Sequence, residues 1–344
     1  MKKLNVAILG ATGMVGQELL DILVERSFPM ASLTLLSSAR SAGRRVLVGG
    51  KEYAVQEVSP EAFQGVDVAF FCAGGQVSRD WVDTAVGAGA LVIDNTSAFR
   101  LREDVPLIVP EVNGGEILKH KGIIANPNCS TIIMALVLKP IYDRVGIKRV
   151  VVSTYQAVSG AGGRAMDELR RQTEDYLAGR EMEAQILPVA TAPRHYPIAF
   201  NVIPQIDEFA EEDYTKEEWK MVHETRKLFK DPELKVSPTT IRIPVMRCHS
   251  ESINVETEHR LAPEECRELL KQAPGVELLD DPSQQEYPMP LFLTGRDAVY
   301  VGRIRRDLTV EKGLNLWVVG DQVRKGAALN AVQIAELALE LGAV

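Results

Sequence analysis

Residues 4–16, LNVAILGATGMVG, join a short apolar run to a glycine-rich loop, and this stretch decides the fold class. The apolar half predicts a buried β-strand, and the residues after the loop predict a helix. Gly10 permits a tight turn, Gly13 lets the backbone approach a pyrophosphate, and Gly16 permits close packing of the helix. A helix N-terminus at this point offers free N–H groups to phosphate. The spacing GxxGxxG departs from GxGxxG, and a glycine-rich turn without a ligand is the alternative interpretation.

Outward from this loop, the first third of the chain alternates apolar runs with helical patterns, as βαβ units do. Near-continuous apolar runs are typical of a parallel sheet that is covered on both faces. The predicted elements of this part are the strand Leu4–Leu9, the helix Gln17–Arg26, and the strands Leu33–Leu36, Val66–Cys72 and Ala90–Ile93. The segment Gly122–Asn126 then leads through Pro127 into an apolar helix.

The pattern changes from about Lys148, where longer β patterns alternate with charged amphipathic helices. Such a pattern indicates a mixed or antiparallel sheet with one covered face. The final segment 324–344 is a strongly apolar helix. We therefore predict an α/β protein with a Rossmann-type dinucleotide-binding domain over 1–128, on which the final helix is expected to pack. An α+β domain with a mixed sheet is predicted over 129–323.

The composition excludes several classes of protein. A chain of 344 residues with 46% hydrophobic and 25% charged residues is globular, and its length favours two domains. A net charge of -8 argues against binding to nucleic acid or to an anionic membrane, both of which attract basic proteins. No run approaches 18 apolar residues, so no transmembrane helix is expected. The short apolar start lacks a cleavage site for a signal peptide.

The cysteines indicate a reducing compartment, and hence the cytoplasm. They are far apart and form no CxxC pair, which argues against a disulfide framework and against a zinc site. No metal is expected. The four are Cys72, Cys129, Cys248 and Cys266.

The end of the second predicted strand suggests the type of dinucleotide. A site for NAD usually places an acidic residue there, which binds the ribose 2′-hydroxyl. Here Ser37, Ser38 and Arg40 stand in LLSSARSAGRR instead. A guanidinium recognises phosphate oxygens through paired charge-assisted bonds, so this composition favours NADP. A solvated basic loop would show the same residues.

The segment NPNCSTIIMAL, residues 126–136, carries the predicted nucleophile. Cys129 stands at the start of a long apolar helix, and a helix N-terminus favours the thiolate, which is the reactive form. A buried cysteine that acts as a small apolar side chain is the alternative, and it is the interpretation given to the other three cysteines.

Seven motifs occur in one order along the chain: GATGMVG, SARSAG, SAFR, NPNCST, QAVSGAG, EEWK and the run from Arg242 to His249. In these motifs the chain resembles the aspartate-semialdehyde dehydrogenase family over essentially its whole length. The resemblance implies a dinucleotide-binding domain and an α+β catalytic domain that also forms a homodimer. It further implies reduction of aspartyl-4-phosphate with NADPH and release of phosphate, on the route to lysine, threonine and methionine.

The resemblance assigns the catalytic residues by motif. Cys129 matches the acyl-accepting nucleophile, Gln156 the residue that orients the substrate carbonyl, and His249 the acid/base. On this scheme the thiolate attacks the acyl phosphate, the thioester accepts hydride, and backbone N–H groups near Cys129 stabilise the oxyanion. The remaining histidines are interpreted as structural: His120, His195, His223 and His259.

Arg242 matches the guanidinium that binds the α-carboxylate of the substrate. Seven residues separate it from His249, and in one regular strand an odd separation places side chains on opposite faces. Both reach one site only if the chain bends between them, and Pro244 is a suitable place. Thr240 departs from the family's signature, which often has cysteine there, but carries no chemical role.

The other ligand-binding residues also come from the resemblance. Arg100 and Lys220 match residues that bind phosphate, and Glu217 matches a carboxylate that would attract the substrate ammonium. A solvated helix face is the alternative for Glu217 and Lys220. The predicted cofactor-binding residues are Gly10, Ala11, Thr12, Gly13, Met14, Val15, Ser37, Arg40, Ser41, Ala73, Gly74, Asn95, Ser159, Gly160 and Gln322.

Two rival functions remain beside this one. The nearest rival is N-acetyl-γ-glutamyl-phosphate reductase, which resembles this protein in its fold and in its thioester chemistry. The substrate of that enzyme lacks a free ammonium group, which leaves Glu217 without a role. A catalytically silent relative would typically have lost the cysteine or the histidine, and this chain keeps both Cys129 and His249.

Overall fold

The computed structural model describes residues 2–344. The strands are β1 (Leu4–Leu9), β2 (Met30–Ser37), β3 (Arg45–Val48), β4 (Lys51–Glu57), β5 (Val68–Phe71), β6 (Leu91–Asp94), β7 (Ile123–Ala125), β8 (Ile147–Gln156), β9 (Lys235–Arg242), β10 (His249–Thr257), β11 (Val276–Leu278), β12 (Val299–Arg306) and β13 (Gly313–Gly320). The helices are α1 (Met14–Glu25), α2 (Gly75–Gly87), α3 (Pro110–Asn113), α4 (Cys129–Val145), α5 (Gly163–Leu177), α6 (Lys216–Phe229), α7 (Pro263–Lys271), α8 (Pro290–Leu293) and α9 (Leu329–Glu340).

The chain forms two compact units. The first takes in the chain up to Asn128 together with Ala327–Val344, and the second is Cys129–Gly326. Each unit contains its own sheet, with seven strands in the first and six in the second among the described residues. The predicted α/β class, with a Rossmann-type part and an α+β part, is confirmed.

The first unit is built around β1. Its sheet has the order β3-β4-β2-β1-β5-β6-β7, and β1 pairs in parallel with β2 and with β5. Five of the six residues of β1 are buried, as expected for a strand covered on both faces. Ligands in such sheets bind at the carboxyl ends of the strands where the connections diverge to opposite sides, which here lies between β1 and β5.

Two local features of the first unit differ from the sequence predictions. The helix α1 begins at Met14, three residues before the predicted Gln17, because the extended Gly13 already serves as its N-cap. The hairpin of β3 and β4 was not predicted, because these two strands expose most of their side chains. The strand β3 lies at the edge of the sheet, and β4 lies between β3 and β2.

The C-terminal segment completes the core of the first unit. Buried side chains of α9 join the cluster formed by the central strands and α1. The Asn330 side chain donates to the backbone oxygen of Ile108 at 3.0 Å and to Asn126 Oδ1 at 2.6 Å. The buried residues that this segment adds are Ala328, Leu329, Ala331, Val332, Ile334, Ala335 and Ala338.

The second unit has a mixed six-stranded sheet of order β11-β12-β13-β10-β8-β9. The pairs β8–β9 and β11–β12 are parallel, and the remaining pairs are antiparallel. The central strand β10 alternates between buried residues on one face and half-buried residues on the other. The helices α4, α6 and α7 pack on the sheet. The predicted mixed sheet is therefore confirmed.

Arg242 and His249 lie on two different strands. Arg242 ends β9 and His249 begins β10, and the chain between them, which includes Pro244, leaves the sheet. These strands flank β8, where Gln156 pairs with Arg242 and Tyr155 pairs with Ser250. The expected bend near Pro244 is thus a change of strand.

No helix in the part of the chain that the structure describes is both long and apolar enough to cross a membrane.

Substitution of Gly16 by alanine should lower stability, because a Cβ there would lie 2.4 Å from the backbone oxygen of Gly10. Overpacking of this kind costs roughly 1–3 kcal/mol in the free energy of unfolding. Gly13→Ala is the matched control, since its Cβ would meet Gly10 only at 3.4 Å. Urea unfolding followed by circular dichroism measures both. An equal loss in the two variants would contradict the tight packing inferred at Gly16.

Candidate active site

The glycine-rich loop of the first unit has the form of a phosphate cradle. Gly10 has φ +96°, and a Cβ there would lie 2.8 Å from the backbone nitrogen of Ala73. The loops that follow β1 and β5 therefore touch, so the predicted cofactor residues Ala73 and Gly74 lie beside the loop of residues 10–15. The helix α1 starts at Met14 with no acidic residue in its first turn. These features fit the pyrophosphate of a dinucleotide.

The residues predicted to select the dinucleotide lie at the end of β2. Ser37 is buried, and its hydroxyl lies 3.3 Å from that of Thr12 in the glycine-rich loop. Arg40 is exposed and Ser41 is buried in the short helical turn Ala39–Ser41. The structure thus brings the loop and the serine together and leaves the Arg40 guanidinium on the surface of this unit.

Asn95 and Arg100 belong to one polar cluster in the first unit. The Asn95 side chain donates to Cys72 Sγ at 3.3 Å and accepts from Asn126 Nδ2 at 2.9 Å. The Arg100 side chain is buried and donates to the backbone oxygens of Asn126 (2.9 Å) and Asn95 (3.0 Å). Burial and these bonds hold the guanidinium in one place.

Cys129 is the first residue of α4 and is half-buried, as predicted from the motif. Gly326, in the π-helical turn Arg324–Ala328, lies against it: a Cβ at Gly326 would be 2.9 Å from the Cβ of Cys129. The sequence analysis missed Gly326. An isolated glycine within an apolar helical pattern is the signal that could have indicated close approach of another chain segment.

Gln156 lies at the end of β8 with its side chain buried. Its Nε2 lies 2.9 Å from Ser130 Oγ and 3.3 Å from Glu217 Oε1. It also lies 3.3 Å from the hydroxyl of Thr154 on the same strand. These contacts link the end of β8 to the first turn of α4 and to α6, and they fix the Gln156 amide beside the start of α4.

His249 is fully buried, and its Nδ1 accepts a hydrogen bond of 3.1 Å from the backbone nitrogen of Ala157. Burial, and then the nearby Arg242 guanidinium, lower the pKa of His249 to about 3. The neutral ring with an accepting Nδ1 carries its hydrogen on Nε2. His249 in this state is therefore a hydrogen-bond donor through Nε2.

Arg242 is almost completely buried, and its Nη1 donates to the backbone oxygen of Ala157 at 2.7 Å. Burial lowers the pKa of Arg242, while the negative charges of Glu217 and Cys129 oppose that effect. A Cβ at Gly160 would lie 2.8 Å from Arg242 Nη1 and 3.2 Å from His249 Cε1. Only glycine leaves room for both side chains at this point.

Glu217 and Lys220 lie one turn apart on α6 and form an ion pair of 3.1 Å. Glu217 is buried, so the solvated helix face considered from the sequence does not describe it. Lys220 Nζ also contacts Asp207 Oδ2 at 2.8 Å. Asp207 was missed, because nothing in its local sequence indicates a partner on α6.

Ser159 and Gln322 contact each other in the second unit, where the Gln322 amide nitrogen donates to the Ser159 hydroxyl. The Gln322 carbonyl oxygen accepts from the backbone nitrogen of Cys248 at 2.9 Å. Both ends of this amide are thus engaged within the protein. Its predicted contact with the cofactor stays a prediction.

Glu251 is a third residue that the sequence analysis missed. It lies two residues after His249 on the same face of β10, opposite Thr154. The side chain is fully buried, and neither carboxyl oxygen has a hydrogen-bond partner among residues 2–344. Burial raises the pKa of Glu251 well above its usual range, because the charged carboxylate is disfavoured away from water.

Comparison with known proteins places these features in a family context. The model described as "Semialdehyde dehydrogenase, NAD binding domain" matches residues 5–120, and that of the "Semialdehyde dehydrogenase, dimerisation domain" matches residues 138–325. Aspartate-semialdehyde dehydrogenase of Aquifex aeolicus is 54% identical over 344 residues, which cover 99% of each chain.

Two solved structures are similar as well. Aspartate semialdehyde dehydrogenase II from Vibrio cholerae, complexed with ASA, has a TM-score of 0.94 and 48% identity, with 99% of both chains covered. The enzyme with NADP from Candida albicans has a TM-score of 0.75 and 26% identity, with 98% of both chains covered.

Glu251→Gln should stabilise the protein increasingly as the pH rises. The folded protein retains the Glu251 proton above pH 4.5, its usual pKa, whereas the unfolded chain releases it. The contribution of Glu251 to stability is therefore present below that pH and falls by up to about 1.4 kcal/mol per pH unit above it. Glutamine has no such dependence.

Urea unfolding of wild type and variant between pH 5 and pH 8 measures this trend. Ser252→Ala, on the opposite face of the same strand, is the control and should show a difference from wild type that is constant with pH. A constant difference for Glu251→Gln as well would show that the buried carboxyl is not penalised when it ionises.

Proposed function

The chain belongs to the aspartate-semialdehyde dehydrogenase family, and on this premise we propose that it reduces L-aspartyl-4-phosphate to L-aspartate 4-semialdehyde with NADPH. The reaction releases phosphate and serves the biosynthesis of lysine, threonine and methionine. Cys129 carries the acyl group as a thioester.

One observation carries this proposal: the second unit holds a buried cation and a buried anion beside the nucleophile. Arg242 and Glu217 are both buried, and the charges of Glu217 and Cys129 act on the Arg242 guanidinium. The α-carboxylate of an amino acid pairs with a guanidinium fork, and its ammonium pairs with a carboxylate. The arrangement thus suits a substrate with a free α-amino acid group, held next to a thiol.

The chemistry begins at Cys129. Its thiolate attacks the acyl carbon, the C–S bond forms, and the C–O bond to phosphate breaks, so that the phosphate leaves with the electron pair of that bond. Lys220 is proposed to bind the phosphate, in exchange for part of its pairing with Asp207 and Glu217. The corresponding role of Arg100 rests on the SAFR motif alone.

His249 and Gln156 are proposed to act on the carbonyl oxygen. The oxygen becomes negative when the thiolate attacks and again when the thioester is reduced, and each oxyanion needs donors. The Nε2–H of neutral His249 supplies one, and no partner among the described residues occupies it. Collapse of the reduced intermediate returns the thiolate and releases the aldehyde, and the acid/base role that the motif assigns to His249 in this step stays a prediction.

The dinucleotide is proposed to be NADP rather than NAD. Its pyrophosphate would be held by the loop of residues 10–15, and its 2′-phosphate by Ser37, Arg40 and Ser41. Ala73, Gly74 and Asn95 are the further predicted contacts in the first unit. When bound, NADPH supplies the hydride that reduces the thioester.

We propose that the protein acts as a homodimer, as the description of the matching dimerisation domain indicates. The face of the second sheet that lies away from α4 carries half-buried side chains such as Tyr155 and Trp317, whose rings lie 5.6 Å apart. Such a face suits a second copy of the chain. None of the four cysteines forms a disulfide in the described part of the chain, which supports the cytoplasmic location proposed for the enzyme.

The test is phosphate-dependent reduction of NADP by the purified protein with L-aspartate semialdehyde, followed by the absorbance of NADPH. The proposal requires a rate that disappears when phosphate is omitted. A rate with N-acetyl-glutamate semialdehyde but none with L-aspartate semialdehyde would assign the chain to the rival reductase.

Cys129→Ala should lower the rate at least about 1000-fold and leave the Kd for NADPH within about twofold, because only the nucleophile is removed. Cys266→Ala is the matched control: this buried thiol, whose pKa is raised to about 12 by burial, should be dispensable for turnover. Initial rates and fluorescence titration of NADPH measure the two effects. Turnover near the wild-type level in Cys129→Ala would end the thioester scheme.

Arg40→Ala should weaken the binding of NADPH about 10-fold to 100-fold, because a charge-assisted contact with the 2′-phosphate is lost. The affinity for NADH should change less than about twofold. Arg44→Ala removes an exposed guanidinium from the same loop and serves as the control. A parallel loss for both dinucleotides in Arg40→Ala would remove the basis for NADP selection.

A further inference from the structure

The residue immediately before His249 has an unusual backbone conformation. Cys248 has φ +73°, in the left-handed region, although it is not glycine, and its side chain is fully buried. A residue with a Cβ keeps this conformation only where its surroundings enforce it, and such residues cluster at functional sites. The cause should lie in the contacts of the segment that leads into β10.

The Asp321 carboxylate is the first of these contacts. It accepts from Arg247 Nε at 2.9 Å (Oδ1) and 2.7 Å (Oδ2), and the Asp321 side chain is fully buried. It also accepts from the backbone nitrogens of Gly295 at 2.7 Å and Val323 at 3.0 Å. The backbone N–H groups of Gly295 and Val323 thus hold the Asp321 carboxylate in place, and the carboxylate in turn holds the Arg247 side chain.

Gln322 supplies the second contact. Its Oε1 accepts from the backbone nitrogen of Cys248 at 2.9 Å, and its Nε2 donates to the Ser159 hydroxyl. Ser159 belongs to the short turn Val158–Ala161, which follows directly on Ala157, the residue whose backbone nitrogen donates to His249 Nδ1. Gln322 therefore joins the two segments between which the imidazole ring is held.

We propose that Asp321 and Gln322 form a clasp that holds Cys248 in the left-handed conformation and thereby positions His249. The Asp321 carboxylate binds the side chain of Arg247, and the Gln322 side chain binds the backbone N–H of Cys248. Asp321 is on this view a positioning residue of the reaction, acting through the backbone ahead of His249. The kinetic consequence of this inference rests on the proposed function. Hydrogen–deuterium exchange needs no turnover and is independent of it.

The consequence of opening the clasp follows from the conformation it enforces. Without it, Cys248 relaxes to a negative φ, and the first residue of β10 rotates with it. The His249 ring then leaves the Ala157 N–H and the space beside Gly160. Only the fraction of molecules that still holds the left-handed conformation turns over, so kcat falls while the KM for the aldehyde stays nearly constant.

Asp321→Asn is the variant that opens the clasp, because the charge that binds Arg247 is removed while the side-chain volume is kept. Asp280→Asn is a matched control in the same unit. Asp280 is likewise fully buried, pairs with Arg267 Nε at 2.8 Å, and accepts from the backbone nitrogens of Arg303 and Ile304.

In the assay of aldehyde oxidation, kcat of Asp321→Asn should fall at least tenfold with KM within about threefold of wild type. Asp280→Asn should keep kcat within about twofold, even though both variants lose thermal stability. Equal kcat values for the two variants would show that Asp321 serves stability alone and would overturn the proposal.

A rescue experiment separates the backbone conformation from other effects of the substitution. Glycine adopts the left-handed region without the penalty of a Cβ, so Asp321→Asn combined with Cys248→Gly should regain about fivefold to tenfold in kcat. The combination with Cys248→Ala removes the same thiol but keeps a Cβ, and should regain nothing. Equal behaviour of the two double variants would contradict the role of the left-handed conformation.

Hydrogen–deuterium exchange tests the clasp without the reaction. In the full-length protein, the peptide that spans residues 245–250 should exchange at least tenfold faster in Asp321→Asn than in wild type or Asp280→Asn, since relaxation of Cys248 moves its N–H away from Gln322 Oε1. An inactive wild-type protein with this exchange pattern would refute the proposed function and leave the clasp standing. Unchanged exchange would refute the clasp whatever the activity.

Discussion

The register between β8 and its two neighbours determines where the reactive groups of the second unit stand. Gln156 at the carboxyl end of β8 pairs with Arg242 at the carboxyl end of β9, and Tyr155 pairs with Ser250 near the amino end of β10. Because β9 runs parallel to β8 and β10 runs antiparallel to it, the carboxyl ends of β8 and β9 lie beside the amino end of β10. A slip of a single residue would turn these side chains to the opposite face of the sheet. The starts of α4 and α6 supply Cys129 and Glu217 to the groups at this edge.

Burial decides the charge state of the groups at this edge. Removal from water is expensive for any ion, so a buried charge persists only beside an opposite one. Arg242 has the charges of Glu217 and Cys129 nearby and remains a cation, whereas His249 is held neutral. Burial likewise favours the neutral form of Glu251, whose carboxyl oxygens have no hydrogen-bond partner among the described residues. A few well-placed charges in a dry site distinguish ligands better than many solvated ones.

The secondary structure was predictable where one physical pattern dominated. The strand β1 occupies the residues Leu4–Leu9 that its apolar run predicts. The strand β10 was not predicted, because its first half, His249 to Ser252, is polar although three of these four residues are fully or almost fully buried. Polar side chains that serve a site break the alternation by which a strand is recognised.

The site was predictable only through its motifs. Cys129, Gln156 and Arg242 stand in recognisable segments, and the structure places them together in the second unit. Asp207 and Asp321 carry no such signal, because their importance comes from contacts with residues distant in the chain. Gly326 carries only a weak one, since an isolated glycine in an apolar helical pattern does not show which segment approaches it.

The order of the chain has a consequence for how the protein is made. The first unit consists of two segments, the second of which, Ala327–Val344, follows the whole of the second unit. Side chains from that late segment fill the core around β1 and α1. On the ribosome, the glycine-rich loop therefore emerges early but rests on an unfinished core until Ala327–Val344, which follows Cys129–Gly326, has been translated. The second unit can fold first, and the first unit is completed last.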